Sequence, residues 1–177
     1  LNTAQQMFLK KTYDAFIDNG ANLSPKDKAK FKDLQMQLSQ FTLMFGQNAL
    51  AATNSYQMLI TDKNELAGLP ESELAIAAQK AKEQHKKGYL FDLSQPSVTA
   101  ILKYADNRKL REEMYRHSCN KAYDGNNSNT AVIVKILNCR YEIAKMLGYE
   151  NYAEYALHNR MAKNSTTVYD FLNQLRE

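Results

Sequence analysis

Three histidines, His85, His117 and His158, and two cysteines, Cys119 and Cys139, are the side chains of this chain best suited to metal binding or nucleophilic chemistry. Zinc ligation from one helix needs two histidines four residues apart, so that both imidazoles share a face. No two of the three stand in that relation, and no HExxH occurs. His117 and Cys119 are two positions apart and point to different faces of a helix. Ser118 and Cys119 follow His117 directly, and neighbours on a helix do not face each other, so this run does not pair a nucleophile with a base. A G-x-S-x-G elbow, a G-x-x-x-x-G-K loop and a G-x-G-x-x-G loop are all missing. The residues therefore assign no catalytic and no metal-binding position, and leave the substrate-binding residues open.

The remaining reactive side chains read as parts of helices. Glu71 and Glu73 sit in the first turn of an expected helix, where carboxylates suit the dipole, and Glu112 and Glu113 solvate a helix face. Neither pair converges as general acid–base catalysis would require. Lys26, Lys28, Lys30 and Lys32 form the densest basic cluster, interrupted by Asp27 and Asp33. With the net charge only +4, this excludes a strong nucleic-acid footprint. Tyr149, Tyr152 and Tyr155 lie close together and serve as helix packing, with a peptide-binding wall as the alternative.

The elements that must carry these groups are mostly helices. Apolar residues make up 44% of the 177, with only three prolines and six glycines, which favours helix over a turn-rich β fold. A first helix over 1–18 carries Phe8, Tyr13 and Phe16 and stops at Asn19-Gly20. Ser24-Pro25-Lys26-Asp27 opens a second. Its stripe of Phe31, Leu34, Leu38, Phe41 and Phe45 runs to about Ala52, roughly 40 Å at ~1.5 Å per residue, and needs antiparallel neighbours, the first helix being the nearest. Tyr56–Ile60 and Tyr89–Leu93 are strand candidates that pair as a ribbon around a third helix carrying Leu74, Ala77, Ala78 and Ala81. A short helix with Val98, Ile101 and Leu102 follows, then one capped by Asp106 with Leu110 and Met114 inside. After the Asp124–Asn129 loop, a helix carries Val132, Ile133, Ile136, Leu137, Ile143 and Ala144 and stops at Gly148. Asn151 begins a helix with Tyr152, Tyr155, Ala156 and Met161, and the last starts near Asn164-Ser165. The fold class is mainly α, a helical bundle segment with a small two- or three-stranded antiparallel β ribbon. Residues 1–177 form one helical piece. No apolar run spans a membrane.

Several colinear motifs go further. FIDNGANL (16–23), FGQNAL (45–50), ITDKNELAGLPESEL (60–74), YLFDLSQPS (89–97), YADNRKLREEMYR (104–116) and LGYENYAEYALHNRMAK (147–163) resemble, in order and spacing, the helical region of the thimet-oligopeptidase-like zinc metallopeptidases. Gly20-Ala21-Asn22-Leu23 and the compact 124–130 segment lean towards the bacterial peptidyl-dipeptidase (dipeptidyl carboxypeptidase) branch, with the oligopeptidase A branch close behind.

The resemblance implies part of a neurolysin-like metallopeptidase fold with a deep channel that admits short peptides. It implies zinc held by the histidines of HExxH and a later glutamate, all downstream of this sequence. The chain starts without methionine and stops inside an apolar pattern (Val168, Phe171, Leu172, Leu175), so it reads as an internal fragment. The expected role is helical scaffold and channel wall, with the catalytic lobe of the same chain as its partner, no zinc of its own, and no peptidase activity alone. The expected location is cytoplasmic, with the periplasm as the alternative. A stand-alone helical binding module is the rival reading, and a nucleic-acid binder ranks last.

Overall fold

The computed structural model describes residues 1–176. The element order is α1 (Thr3–Asp18), α2 (Pro25–Ser55), β1 (Met58–Ile60), α3 (Glu71–Glu83), β2 (Tyr89–Phe91), α4 (Gln95–Tyr104), α5 (Arg108–Cys119), α6 (Thr130–Met146), α7 (Tyr152–Leu157) and α8 (Ser165–Arg176). Single 3-10 turns occupy Lys63–Leu66 and Gly125–Asn127. The protein is mainly α, as the sparse glycine and proline imply. Among the described residues no helix is long and apolar enough to cross a membrane. The chain divides into two compact units, Met44–Val132, and Leu1–Leu43 with the segment from Ile133 onward.

The Met44–Val132 unit holds the β ribbon. β1 and β2 run antiparallel with Met58 opposite Phe91 and Ile60 opposite Tyr89. Met58 and Ile60 turn inward while Leu59 faces out, the period-2 alternation of a half-buried strand. The ribbon lies on α3, whose Leu74, Ala77 and Ala81 are buried. Small alanines at one-turn spacing let the ribbon approach the helix closely. Leu66, Phe91, Ile101 and Met114, none more than 2% exposed, complete the core.

The capping of α5 differs from expectation. Asn107, not Asp106, is the cap, its side chain accepting from the Lys109 N–H at 3.0 Å. Asp106 is drawn away because its own N–H donates to the Ala67 carbonyl at 2.8 Å, fastening the chain to the turn at Gly68.

In the other unit, the neighbour found along α2 is α6 rather than α1. Lys30 pairs with Glu142 at 3.0 Å, and the Lys135 ammonium sits 5.3 Å from the centre of the Phe41 ring. Rising numbers on one helix meet falling numbers on the other, so the pair is antiparallel. Phe31 on α2 and Ile136, Cys139, Ile143 and Ala144 on α6 are buried. The rest of the expected stripe is only half covered, and Phe45 is exposed. On α6, Ile133 and Leu137 are exposed as well. α1 buries none of its side chains, and Phe8, Tyr13 and Phe16 stand 74%, 60% and 65% exposed. The end of α1 is nonetheless tied down: Gly20 takes φ +82°, and a Cβ there would stand 3.2 Å from Phe31. α7 is shorter than expected and ends at Leu157, leaving Met161 fully in solvent.

Candidate functional site

The three histidines occupy three different environments. His85 follows α3 in a left-handed conformation (φ 57°) and is exposed. His117, on the exposed side of α5, stacks on Tyr56 with ring centres 4.2 Å apart. His158 is half-buried at the end of α7, with Nε2 3.1 Å from Asp18 and Nδ1 2.5 Å from the Tyr155 carbonyl. Among the described residues, no three histidine, cysteine, aspartate or glutamate side chains come together as a metal would need. The described residues do not fit a catalytic zinc.

The other sequence candidates also remain apart. Glu71 pairs with Lys63 at 3.1 Å. Glu112 pairs with Arg116 at 2.7 Å, one helical turn away. Its neighbour Glu113 accepts a hydrogen bond from the Tyr56 hydroxyl at 3.2 Å. Partial burial, then the negative charge of Glu113, push the Tyr56 phenol far above its ordinary pKa, so it stays a neutral donor. Of the four lysines at 26–32, Lys30 is engaged by Glu142. Ser118 is half-buried on α5. Cys119 is exposed and Cys139 buried, where burial and the nearby Asp33 push its thiol pKa up, away from nucleophilic use.

The tyrosine trio is brought together. Tyr149 and Tyr155 meet edge to face at 5.3 Å, Tyr152 lies 5.5 Å from Tyr155, and His158 stacks against Tyr155 at 5.9 Å. Asp18, from the last turn of α1, organises the polar side of this cluster. Its carboxylate meets His158 and accepts from Asn159 Nδ2 at 2.8 Å, while its carbonyl accepts from the Tyr155 hydroxyl at 3.4 Å. Burial first, and Asp18 second, raise the pKa of Tyr149 and Tyr155. The trio therefore packs together with His158 against the end of α1, where His158 and Asn159 meet the Asp18 carboxylate.

Two polar centres escaped sequence reasoning because their members are distant or unremarkable in type. Lys80 on α3 reaches Asp92 after β2 at 2.7 Å and Ser97 at 3.4 Å. Asn129 is a buried polar side chain that donates to the Phe45 carbonyl at 3.1 Å and accepts from Asn48 at 3.0 Å. Cavities adjoin both regions. One of about 290 Å³ is lined by Tyr56, Lys80 and Asp92. Another of about 420 Å³ is lined by Tyr56, His117, Lys121 and Asp124. These features can bind and position a ligand.

Comparison with known proteins identifies the class. Residues 101–177 match Peptidase family M3. The resemblance drawn from the motifs holds: over these residues the chain is similar to the M3 peptidases. Over 99% of its length it is 39% identical to oligopeptidase A of Salmonella typhimurium, of which it covers 26%. Oligopeptidase A of Escherichia coli is 38% identical over the same share of the chain, again with 26% covered. Dipeptidyl carboxypeptidase of Escherichia coli is 29% identical over 92% of the chain, with 24% covered. The chain thus spans about a quarter of the length of these relatives. The oligopeptidase A reading fits these identities as well as or better than the peptidyl-dipeptidase one.

Proposed function

We propose that this chain supplies helical scaffold and part of the substrate channel wall of a zinc-dependent peptidase that hydrolyses short peptides, of the oligopeptidase A kind. The observation that carries this reading is the 39% identity to an oligopeptidase A sustained over 99% of the chain. An alignment that spans nearly the whole chain is what a shared structural region requires. Zinc and its ligands then belong to the remainder of the enzyme, which is this chain's first partner, and peptides are the second. A cytosolic location is part of the reading, and one relative at 36% identity is named a probable cytosolic oligopeptidase A.

The chain alone is inactive on this account. Purified to homogeneity and supplied with one equivalent of zinc, it should not cleave a quenched fluorogenic peptide above the buffer rate. Chelator-sensitive turnover that co-purifies with the chain through successive columns would refute the scaffold role. A stand-alone binding module predicts the same inactivity, but not an active chimera when this chain replaces the aligned part of an oligopeptidase A.

A further inference from the structure

The cavity between Tyr56, α5 and the loop after it has features that neither scaffolding nor core packing requires. Its volume is about 420 Å³, within the range of small-ligand sites. One wall is the stacked pair of Tyr56 and His117, and Tyr56 is held in place by its hydrogen bond to Glu113. The lining also includes Lys121 and Asp124, three residues apart on one loop. These two charges do not pair with each other, and among the described residues neither joins any ion pair. The Lys121 ammonium reaches the Leu93 carbonyl at 3.5 Å, on the cavity wall, and the Asp124 side chain caps nothing. The carboxamide of Asn126 completes the rim.

The loop is held rigidly in this arrangement. Ala122 is held in the left-handed region at φ 56°, which a residue with a Cβ rarely adopts. Its carbonyl accepts from the Asn129 N–H at 2.7 Å, and the Ser128 hydroxyl donates to the Tyr123 carbonyl at 2.8 Å. The buried Asn129 side chain then anchors the loop to α2. A loop backbone fixed by these hydrogen bonds lowers the ordering cost of binding.

We propose that this cavity binds a small zwitterion bearing an apolar side chain, a free amino acid or a dipeptide. Its carboxylate meets Lys121, its ammonium meets Asp124, and its side chain lies on the Tyr56–His117 wall. A site with one unpaired charge of each sign rejects ligands of a single charge, and the aromatic wall selects against purely polar ones. Binding here needs no catalytic group, so the site stands apart from the peptidase reading and is judged separately from it.

The test is a titration of the isotope-labelled chain, followed by amide shifts in NMR. The probes are phenylalanine, glycyl-phenylalanine, and glycyl-phenylalanine with its amine acetylated and its carboxylate amidated. The expected result is saturable shifts at the amides of Ala122, Asn126 and Asn127 with one or both free zwitterions. The tighter of the two tells amino acid from dipeptide. Lys121→Gln and Asp124→Asn, both surface changes, should each weaken binding about tenfold. The blocked probe should give no saturable shift. The proposal is overturned if no shift saturates by about 10 mM, if the blocked probe binds as well, or if both variants bind like the parent.

Discussion

Asp92 gives the account its most quantitative test. Burial alone would raise the pKa of this carboxyl, but hydrogen bonds from Lys80, Ser94 and Ser97 outweigh it and hold the value at about 2, against 3.8 for a free side chain. A carboxyl moved that far without screening would contribute about 2.4 kcal/mol to stability at neutral pH. The Lys80 and Asp92 side chains are 32% and 31% exposed, so solvent screening reduces this to about 1 kcal/mol. The folded pKa is the lower one, so this stabilisation is fully present above about pH 4. It fades as the pH falls towards 2, where the folded carboxyl also takes up its proton. Asp92→Asn should therefore lower the urea-unfolding free energy by about 1–2 kcal/mol at pH 7 and by a few tenths near pH 2. A double-mutant cycle with Lys80→Met should return a coupling of about 1 kcal/mol at pH 7. Circular dichroism through a urea series at several pH values measures both. A penalty unchanged between pH 7 and pH 2, or a coupling indistinguishable from zero, would refute the view that this pair fastens α3 to the segment after β2.

Two further perturbations probe the backbone and the loop anchor. Gly68→Ala should destabilise by about 3 kcal/mol, because φ is +90° and the new Cβ would stand 2.2 Å from the Tyr104 carbonyl oxygen. Gly46→Ala, within α2 with nothing inside 4 Å, should instead stabilise by about 0.5–1 kcal/mol, and thermal melts of the two variants should move in opposite directions. Asn129→Ala should cost about 2 kcal/mol by leaving the Asn48 amide and the Phe45 carbonyl without their buried partner, and should raise hydrogen exchange across 120–129 before it affects β1 and β2.

The elements whose signals are local were legible. Alternation at Tyr56, Met58 and Ile60, and the apolar run at Tyr89, fall where the two strands pair. Asn19-Gly20 ends α1 and Gly148 follows the end of α6. The partner of α2 was not legible. An apolar stripe states that a helix has a neighbour but not which one, and α6 lies about a hundred residues further along the chain. The exposed face of α1 reads as a core face by the same period-3.6 logic, because periodicity records what a surface can pack against and not whether it does so here. The Asp106 cap was misplaced by one residue, since the pull of the Ala67 carbonyl is tertiary. The association of Asp18 with His158 and Asn159 spans the length of the chain and has no sequence signature.

The central claim is that these residues are an exchangeable structural part of an oligopeptidase A-like enzyme. The direct measurement replaces the aligned quarter of Salmonella typhimurium oligopeptidase A with this chain and determines kcat/KM on a quenched peptide, together with bound zinc and the melting temperature. The expected result is a folded, zinc-loaded chimera whose kcat/KM stays within about tenfold of the parent, equivalent to about 1.4 kcal/mol in transition-state stabilisation. A chimera that folds and holds zinc yet hydrolyses no peptide would contradict it.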